Sequence, residues 1–180
     1  RELICARDIA KSVSANWRLL KLNLPLSRNS LTNKTKKIPA RRTPKDMLKG
    51  IPSTYVPARN IIFLSIAASI AEDIGASAIF IGANAIDFSG YPDCRPVFFK
   101  AFSQMLRCGT KIGLSGNGIK IITPLIDKSK KDIVRLAAKL KVPFELTWSC
   151  YKGLKRPCGI CDSCILREKA FMEAGIEDPL

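Results

Sequence analysis

The sequence predicts an α/β protein, a doubly wound and mostly parallel sheet followed by a metal-binding tail at its C-terminal end. Three observations carry that expectation. Segments of helical periodicity alternate with short apolar runs along the chain. One of those runs, "SAIFIGA" at 77–83, is rich in isoleucine and suits a buried parallel strand. Near the end, four of the seven cysteines fall within fifteen positions.

Taken in order, residues 2–13 form a helical pattern with Leu3, Ala6 or Arg7, and Ala10 on one side. "WRLLKL", 17–22, reads as a strand, and a long basic loop then runs to about residue 56. Pro57 opens a helix through "ARNIIFLSIAASIAEDIG" to Gly75, and its apolar residues lie nearly all round, which predicts burial on most sides. After the strand at 77–83, Pro96 starts a helix that Gly109 stops, with Phe98, Phe102, Met105 and Leu106 on its core face. The glycines of "GLSGNGIKIITPL" resemble a phosphate loop, but Asn117-Gly118 followed by alternating isoleucines reads better as a hairpin. Ser129 with Asp132 gives a capping signature for the next helix, whose face is Ile133, Leu136, Ala137 and Leu140. The expected division is a core over 1–146 and a metal-binding segment over 147–180.

Cys150, Cys158, Cys161 and Cys164 are spaced C-x7-C-x2-C-x2-C, and a C-x2-C turn lets two thiolates converge on one tetrahedral ion. Four such ligands leave no open position for water, so the centre reads as structural zinc. Gly159 occupies a knuckle position that requires positive φ, and Asp162 or Ser163 is placed to cap a helix running to Gly175. Cys164 then lies in that helix's first turn. An iron-sulfur cluster is the alternative, although cluster motifs usually space cysteines differently. Disulfides fit poorly, since seven cysteines leave one unpaired and no signal peptide is recognisable. Cys5, Cys94 and Cys108 are expected to stay outside the site. These features indicate a reducing, cytoplasmic setting, and no apolar run is long enough for a membrane span.

The net charge of +15 is uneven, because residues 18–49 hold ten Lys or Arg against Asp46 alone. Without aromatic interleaving, this strip reads as a solvated loop rather than a nucleic-acid surface. Two other loops stand where parallel sheets bind ligands, beyond the carboxyl ends of strands. They are "PSTYVPARN", 52–60, and "NAIDFSGYPDCRP", 84–96, the second carrying Asn84, Asp87, Ser89, Tyr91, Asp93 and Arg95.

"IPSTYVPARN", "NAIDFSGYPDCRP", "ITPLIDKSKKDIVRLA" and the cysteine tail after "WSCY" together resemble the 7-cyano-7-deazaguanine synthase family of queuosine biosynthesis. "REL" at the start and "NSLT" at 29–32 also fit. The resemblance implies the adenine nucleotide alpha hydrolase or ATP-pyrophosphatase type of doubly wound sheet, a homodimer, and a structural zinc on the four cysteines. It also implies a ligase that uses ATP and Mg²⁺ to join 7-carboxy-7-deazaguanine with ammonia, without nucleic acid or a membrane as partner. On that reading Arg59 and Arg95 are the candidates for the substrate carboxylate, since a guanidinium fork can meet both of its oxygens. Asp87 and Asp93 are candidate ligand-orienting groups or partners of those arginines, and Asn60 and Asn84 are candidate contacts to the nucleotide. Cys94 is expected to pack rather than to react.

The family's S-G-G-x-D-S phosphate motif lies N-terminal to the region that "REL" matches, and the chain starts with Arg1 inside a helical pattern. The expectation is therefore a C-terminal portion of a longer protein, inactive without that motif. Smaller departures are Ala58 where glycine is common, Phe88 where tyrosine is usual, and a more basic central loop. The competing readings are a zinc-stabilised RNA-binding module and a tRNA-thiolating relative of the same fold, neither of which needs "SGYPDCRP".

Overall fold

The structure, a computed structural model, describes residues 1–47, 49–84 and 90–180. In chain order its elements are α1 (Glu2–Ser12), α2 (Pro44–Met47), α3 (Arg59–Asp73), β1 (Ala78–Phe80), α4 (Pro96–Gly109), α5 (Lys111–Leu114), β2 (Lys120–Ile122), α6 (Lys130–Lys139) and α7 (Asp162–Ala174). Short 3-10 turns at Pro92–Cys94 and Phe144–Leu146 complete the set. The chain forms two compact units, one of residues 1–55 with 130–180 and one of residues 56–129.

The unit of residues 56–129 is α/β with a parallel sheet. β1 and β2 pair with Ala78 opposite Lys120, Ile79 opposite Ile121 and Phe80 opposite Ile122. Parallel strands need a crossover rather than a tight turn, so Asn117-Gly118 does not close the expected hairpin. The segment before it is the helical turn α5 instead. Thr110 starts that turn by accepting the Gly113 N–H on its hydroxyl at 3.0 Å, and Glu72 of α3 accepts the Ile112 N–H at 2.8 Å. Gly113 is required here because a Cβ would sit 2.4 Å from the Leu106 carbonyl oxygen. The phosphate-loop appearance of this stretch thus has a packing cause.

The core of this unit joins Leu64, Ala68 and Ala71 of α3 to Phe99, Phe102 and Leu106 of α4, with Ile119. Two expected faces are corrected by this packing. The α4 face is centred on Phe99, Phe102 and Leu106, so Met105 is half exposed. Helix α3 buries one stripe only, leaving Ile61 and Phe63 exposed; its apolar residues all round do not find cover on all sides.

In the unit of residues 1–55 and 130–180, α6 packs on α7 through Val134 against Ala170 and Phe171. Phe144 meets Phe171 edge-on with ring centroids 4.9 Å apart. Here too the expected helical face rotates, onto Val134, and Leu140 is exposed. In α1 the buried residue is Cys5, while Leu3 is exposed. The expected strand at 17–22 is not formed: a strand needs a neighbour to take its N–H and C=O groups, and Trp17, Leu19, Leu20, Leu22 and Leu24 are exposed. Among the described residues no helix is long and apolar enough to cross a membrane.

The basic loop in this unit is not simply solvated. Buried Asn29 accepts the N–H groups of Leu31 and Thr32 at 3.0 and 2.9 Å on its side-chain oxygen, and Ser30 N–H donates to Ser53 O at 2.8 Å. Thr43 and Asp46 form a reciprocal cap for α2, the Asp46 N–H reaching the Thr43 hydroxyl at 3.2 Å and that hydroxyl donating to the carboxylate at 2.6 Å. Hydrogen bonds from Lys49 and Thr43 hold the Asp46 carboxyl down at about 2.

Ala58, just before α3, is held at φ 55° and ψ 23°. The left-handed region costs a residue with a Cβ roughly 1–2 kcal/mol, and glycine escapes most of that strain while losing some chain entropy on folding. Ala58→Gly is expected to stabilise the protein by about 0.5–1 kcal/mol, read as a rise in the urea midpoint; a lower midpoint would contradict the assigned backbone.

Candidate metal centre and ligand site

The four cysteines arrive from separate pieces of backbone. Cys150 follows the 3-10 turn at Phe144–Leu146, Cys158 begins the knuckle, Cys161 is the N-cap of α7, and Cys164 lies in that helix's first turn. Gly159 between them has φ 69°, as its knuckle position requires. All four Sγ atoms lie within 4.8 Å of one another, with Cys161 to Cys164 at 3.5 Å and Cys158 to Cys164 at 4.0 Å. Sulfurs about 2.3 Å from a tetrahedral zinc would be separated by about 3.8 Å. The donor set and its spacing therefore fit a metal ion such as zinc. Cys5, Cys94 and Cys108 lie outside this cluster.

The thiols differ in acidity. Burial opposes ionisation of Cys158, yet hydrogen bonds from the Ile160 and Cys161 backbone and from neighbouring thiols bring it down to about 6. Burial pushes Cys161 and Cys164 up. Cys158 is thus the thiol that ionises most readily, and a cation would offset the burial that opposes ionisation of Cys161 and Cys164.

The surroundings of the cluster contain residues that the motif does not announce. Trp148 packs against it and donates its indole N–H to the Cys150 carbonyl at 3.0 Å. Ile38 and Tyr151 also pack there. Asp162 does not cap α7 with its side chain; its carboxylate instead receives the Arg42 guanidinium, with Nε 3.1 Å from each oxygen and Nη2 also bonded to Oδ2. Arg167 forks onto Asp178 at 2.6 and 2.7 Å, which ties down the C-terminal residues. Arg42 is separated from Asp162 by 120 positions, so no local spacing could have pointed to the pair.

The second site gathers at the start of α3. Asp93, buried in its 3-10 turn, accepts the Asn60 backbone N–H on Oδ2 at 2.8 Å. Asn60 returns its amide to the Asp93 carbonyl at 3.1 Å and to Cys94 Sγ at 3.0 Å. The carboxylate thereby satisfies an otherwise unpaired N–H of the helix's first turn and faces its positive end. Arg59 and Arg95 flank this lock in sequence; Arg59 is half-buried, Arg95 is exposed, and neither is in an ion pair among the described residues. Asn84 is buried four positions beyond β1. Asp87 lies outside the described residues.

Two open clefts lie elsewhere. One of about 840 Å³ borders the cysteine cluster and includes Trp148, Lys155 and Arg156. The other, about 960 Å³, lies where the chain enters β1 and β2, with Ser77 and Gly118 in its wall. Neither is lined by Arg59, Asn60, Asp93 or Arg95.

An α/β chain with a parallel sheet and a C-terminal tetracysteine centre is the class that fold and site define. The family described as "Queuosine biosynthesis protein QueC" matches residues 1–175. A protein of Thermoplasma acidophilum named 7-cyano-7-deazaguanine synthase is 51% identical across all of this chain and 75% of its own length. Proteins of the same name from Picrophilus torridus and Trichodesmium erythraeum are 51% and 47% identical, again across the whole chain, over 74% and 82% of their own lengths. The chain belongs to the QueC family.

Structural zinc contributes on the order of 10–16 kcal/mol in small peptides, comparable with the roughly 5–15 kcal/mol stability of a whole domain. Cys161→Ser is expected to lose the metal and unfold at least residues 147–180, monitored by metal content and proteolysis. A folded variant with full metal would contradict the centre. Metal binding displaces thiol protons, so affinity should rise with pH. Zinc affinity read by chelator competition should therefore climb between about pH 6 and about pH 8; an affinity unchanged over that range would contradict thiolate ligation.

Proposed function

We propose that the chain acts as a 7-cyano-7-deazaguanine synthase, a carbon–nitrogen ligase of queuosine biosynthesis that takes 7-carboxy-7-deazaguanine, ammonia and ATP to the nitrile. Family membership over residues 1–175 carries this reading, and the Asp93–Asn60 lock supports it by attaching Asp93 and Cys94 of the "SGYPDCRP" stretch to the start of α3. The doubly wound ATP-pyrophosphatase fold, a homodimer, a cytoplasmic location and zinc as the resident metal belong to the same proposal. Zinc here is structural, and Mg²⁺ would offset charge on the ATP phosphates.

The chemistry addresses a poor acyl donor. The substrate carboxylate attacks the α-phosphorus of ATP and expels pyrophosphate; ammonia then attacks the acyl carbon, AMP leaves, and a proton is lost. The amide oxygen is adenylated in turn by a second ATP, and departure of AMP with loss of the remaining N–H protons leaves the carbon–nitrogen triple bond. Arg59 and Arg95 are assigned to the carboxylate and to the negative charge that develops as it is adenylated. Asp93 fixes the backbone between them, Asp87 is assigned to orienting the ligand, and Asn60 and Asn84 to the nucleotide side of the site.

The protein expressed from the complete reading frame that encodes this chain should convert 7-carboxy-7-deazaguanine to the nitrile only with ATP and ammonia present, read by mass spectrometry. Arg95→Lys and Arg59→Lys keep the charge but lose the fork, and are expected to lower turnover roughly 10- to 100-fold with little change in melting temperature. Unchanged kinetics in both would remove the arginines from the mechanism. Absence of nitrile, together with tight sequence-selective RNA binding that survives physiological salt, would overturn the ligase reading in favour of an RNA-binding module.

A further inference from the structure

Three contacts join one stretch of the basic loop to the metal knuckle. The Arg41 N–H donates to the Ile160 carbonyl at 2.7 Å. Ala40 forms an antiparallel bridge with Cys161. The Arg42 guanidinium forks onto Asp162, the residue between Cys161 and the helical turn that carries Cys164. Ile38 adds apolar cover on the cluster itself. The same guanidinium reaches onward to the Asp46 carbonyl at 3.3 Å, so α2 hangs from the contact as well.

We infer that residues 38–42 are a strap that closes over the metal centre, with Arg42 as the positioning residue that slows metal loss and couples metal occupancy to the order of the basic loop. The charges explain the choice of residue. Four thiolates around a divalent cation carry a net charge of −2, and Asp162, next to Cys161 in the chain, adds a further negative charge that Arg42 meets with its fork. Arg42 neutralises that carboxylate and ties the first residue of the helix that carries Cys164 to the loop. With a side chain only about a quarter exposed, against 9% for Asp162, the pair is shielded enough for its charge to be felt. Neighbours of this kind around metal ligands typically change metal affinity by about 10- to 100-fold. Arg42→Lys would keep the charge but give up the two-pronged contact.

The inference rests on the four-thiolate reading, and zinc stoichiometry of the wild-type protein tests that reading separately. Zinc release from the loaded, full chain into excess chelator is followed with a colorimetric metal indicator. Arg42→Gln and Asp162→Asn should each release zinc about 10- to 100-fold faster than wild type, Arg42→Lys should fall between, and the double variant should be no faster than the faster single one. Release from Arg42→Gln within twofold of wild type at unchanged stoichiometry and circular dichroism would overturn the strap. The unmodified protein provides a second arm should the variants fail to fold. Hydrogen exchange at the Arg41 amide should quicken at least tenfold when zinc is removed, while amides of Leu64 and Ala68 in α3 keep their protection. Equal exchange at Arg41 with and without zinc would also overturn it.

Discussion

Thiols brought within a few ångströms of one another repel as soon as they ionise, and burial makes ionisation harder still. A bound cation would resolve that conflict, and several elements of the unit formed by residues 1–55 and 130–180 meet at the four sulfurs. Cys161 starts α7 and Cys164 completes its first turn. The far end of the same helix packs on α6 through Phe171 and Ala170. The loop from 38 to 42 and the segment from 148 to 151 are held against the sulfurs. Among the described residues the cluster is backed by only a few apolar side chains, Ile38, Trp148 and Tyr151 among them, so a metal ion held there would contribute what aliphatic packing contributes in the other unit.

In the unit of residues 56–129 the organising contact is of a different kind. A buried carboxylate, Asp93, meets the opening turn of α3 and ties the 3-10 turn at Pro92–Cys94 to it. The apolar core beneath, from Leu64 to Phe102 and Leu106, keeps helix and turn in place. Arg59 and Arg95 stand next to the two ends of this contact in sequence, Arg59 half-buried and Arg95 exposed. What the contact itself does is hold the turn at Pro92–Cys94 to the first residues of α3.

The cysteine centre was legible because its signal is local: two C-x2-C steps and one glycine specify a knuckle almost without tertiary help. Helix limits were legible for similar reasons, Pro96 opening α4 and Gly175 closing α7. The faces of those helices were less so, because α3, α4 and α6 carry apolar residues on adjoining stripes and only the partner decides which is covered. The strand at 17–22 and the hairpin at Asn117-Gly118 failed for a shared reason, that strand pairing is a property of two segments and the pattern of one cannot supply the other. Arg42 and Trp148 were invisible as parts of the centre, since a lone arginine in a basic loop has no period or motif to distinguish it.

Four sulfurs and nothing else around one zinc ion would define the centre as closed and structural. X-ray absorption at the zinc edge of the protein as purified measures this directly. Four sulfur scatterers at about 2.3 Å, with no nitrogen or oxygen shell, are the predicted result. An iron edge in place of zinc, or a first shell containing light atoms, would contradict it.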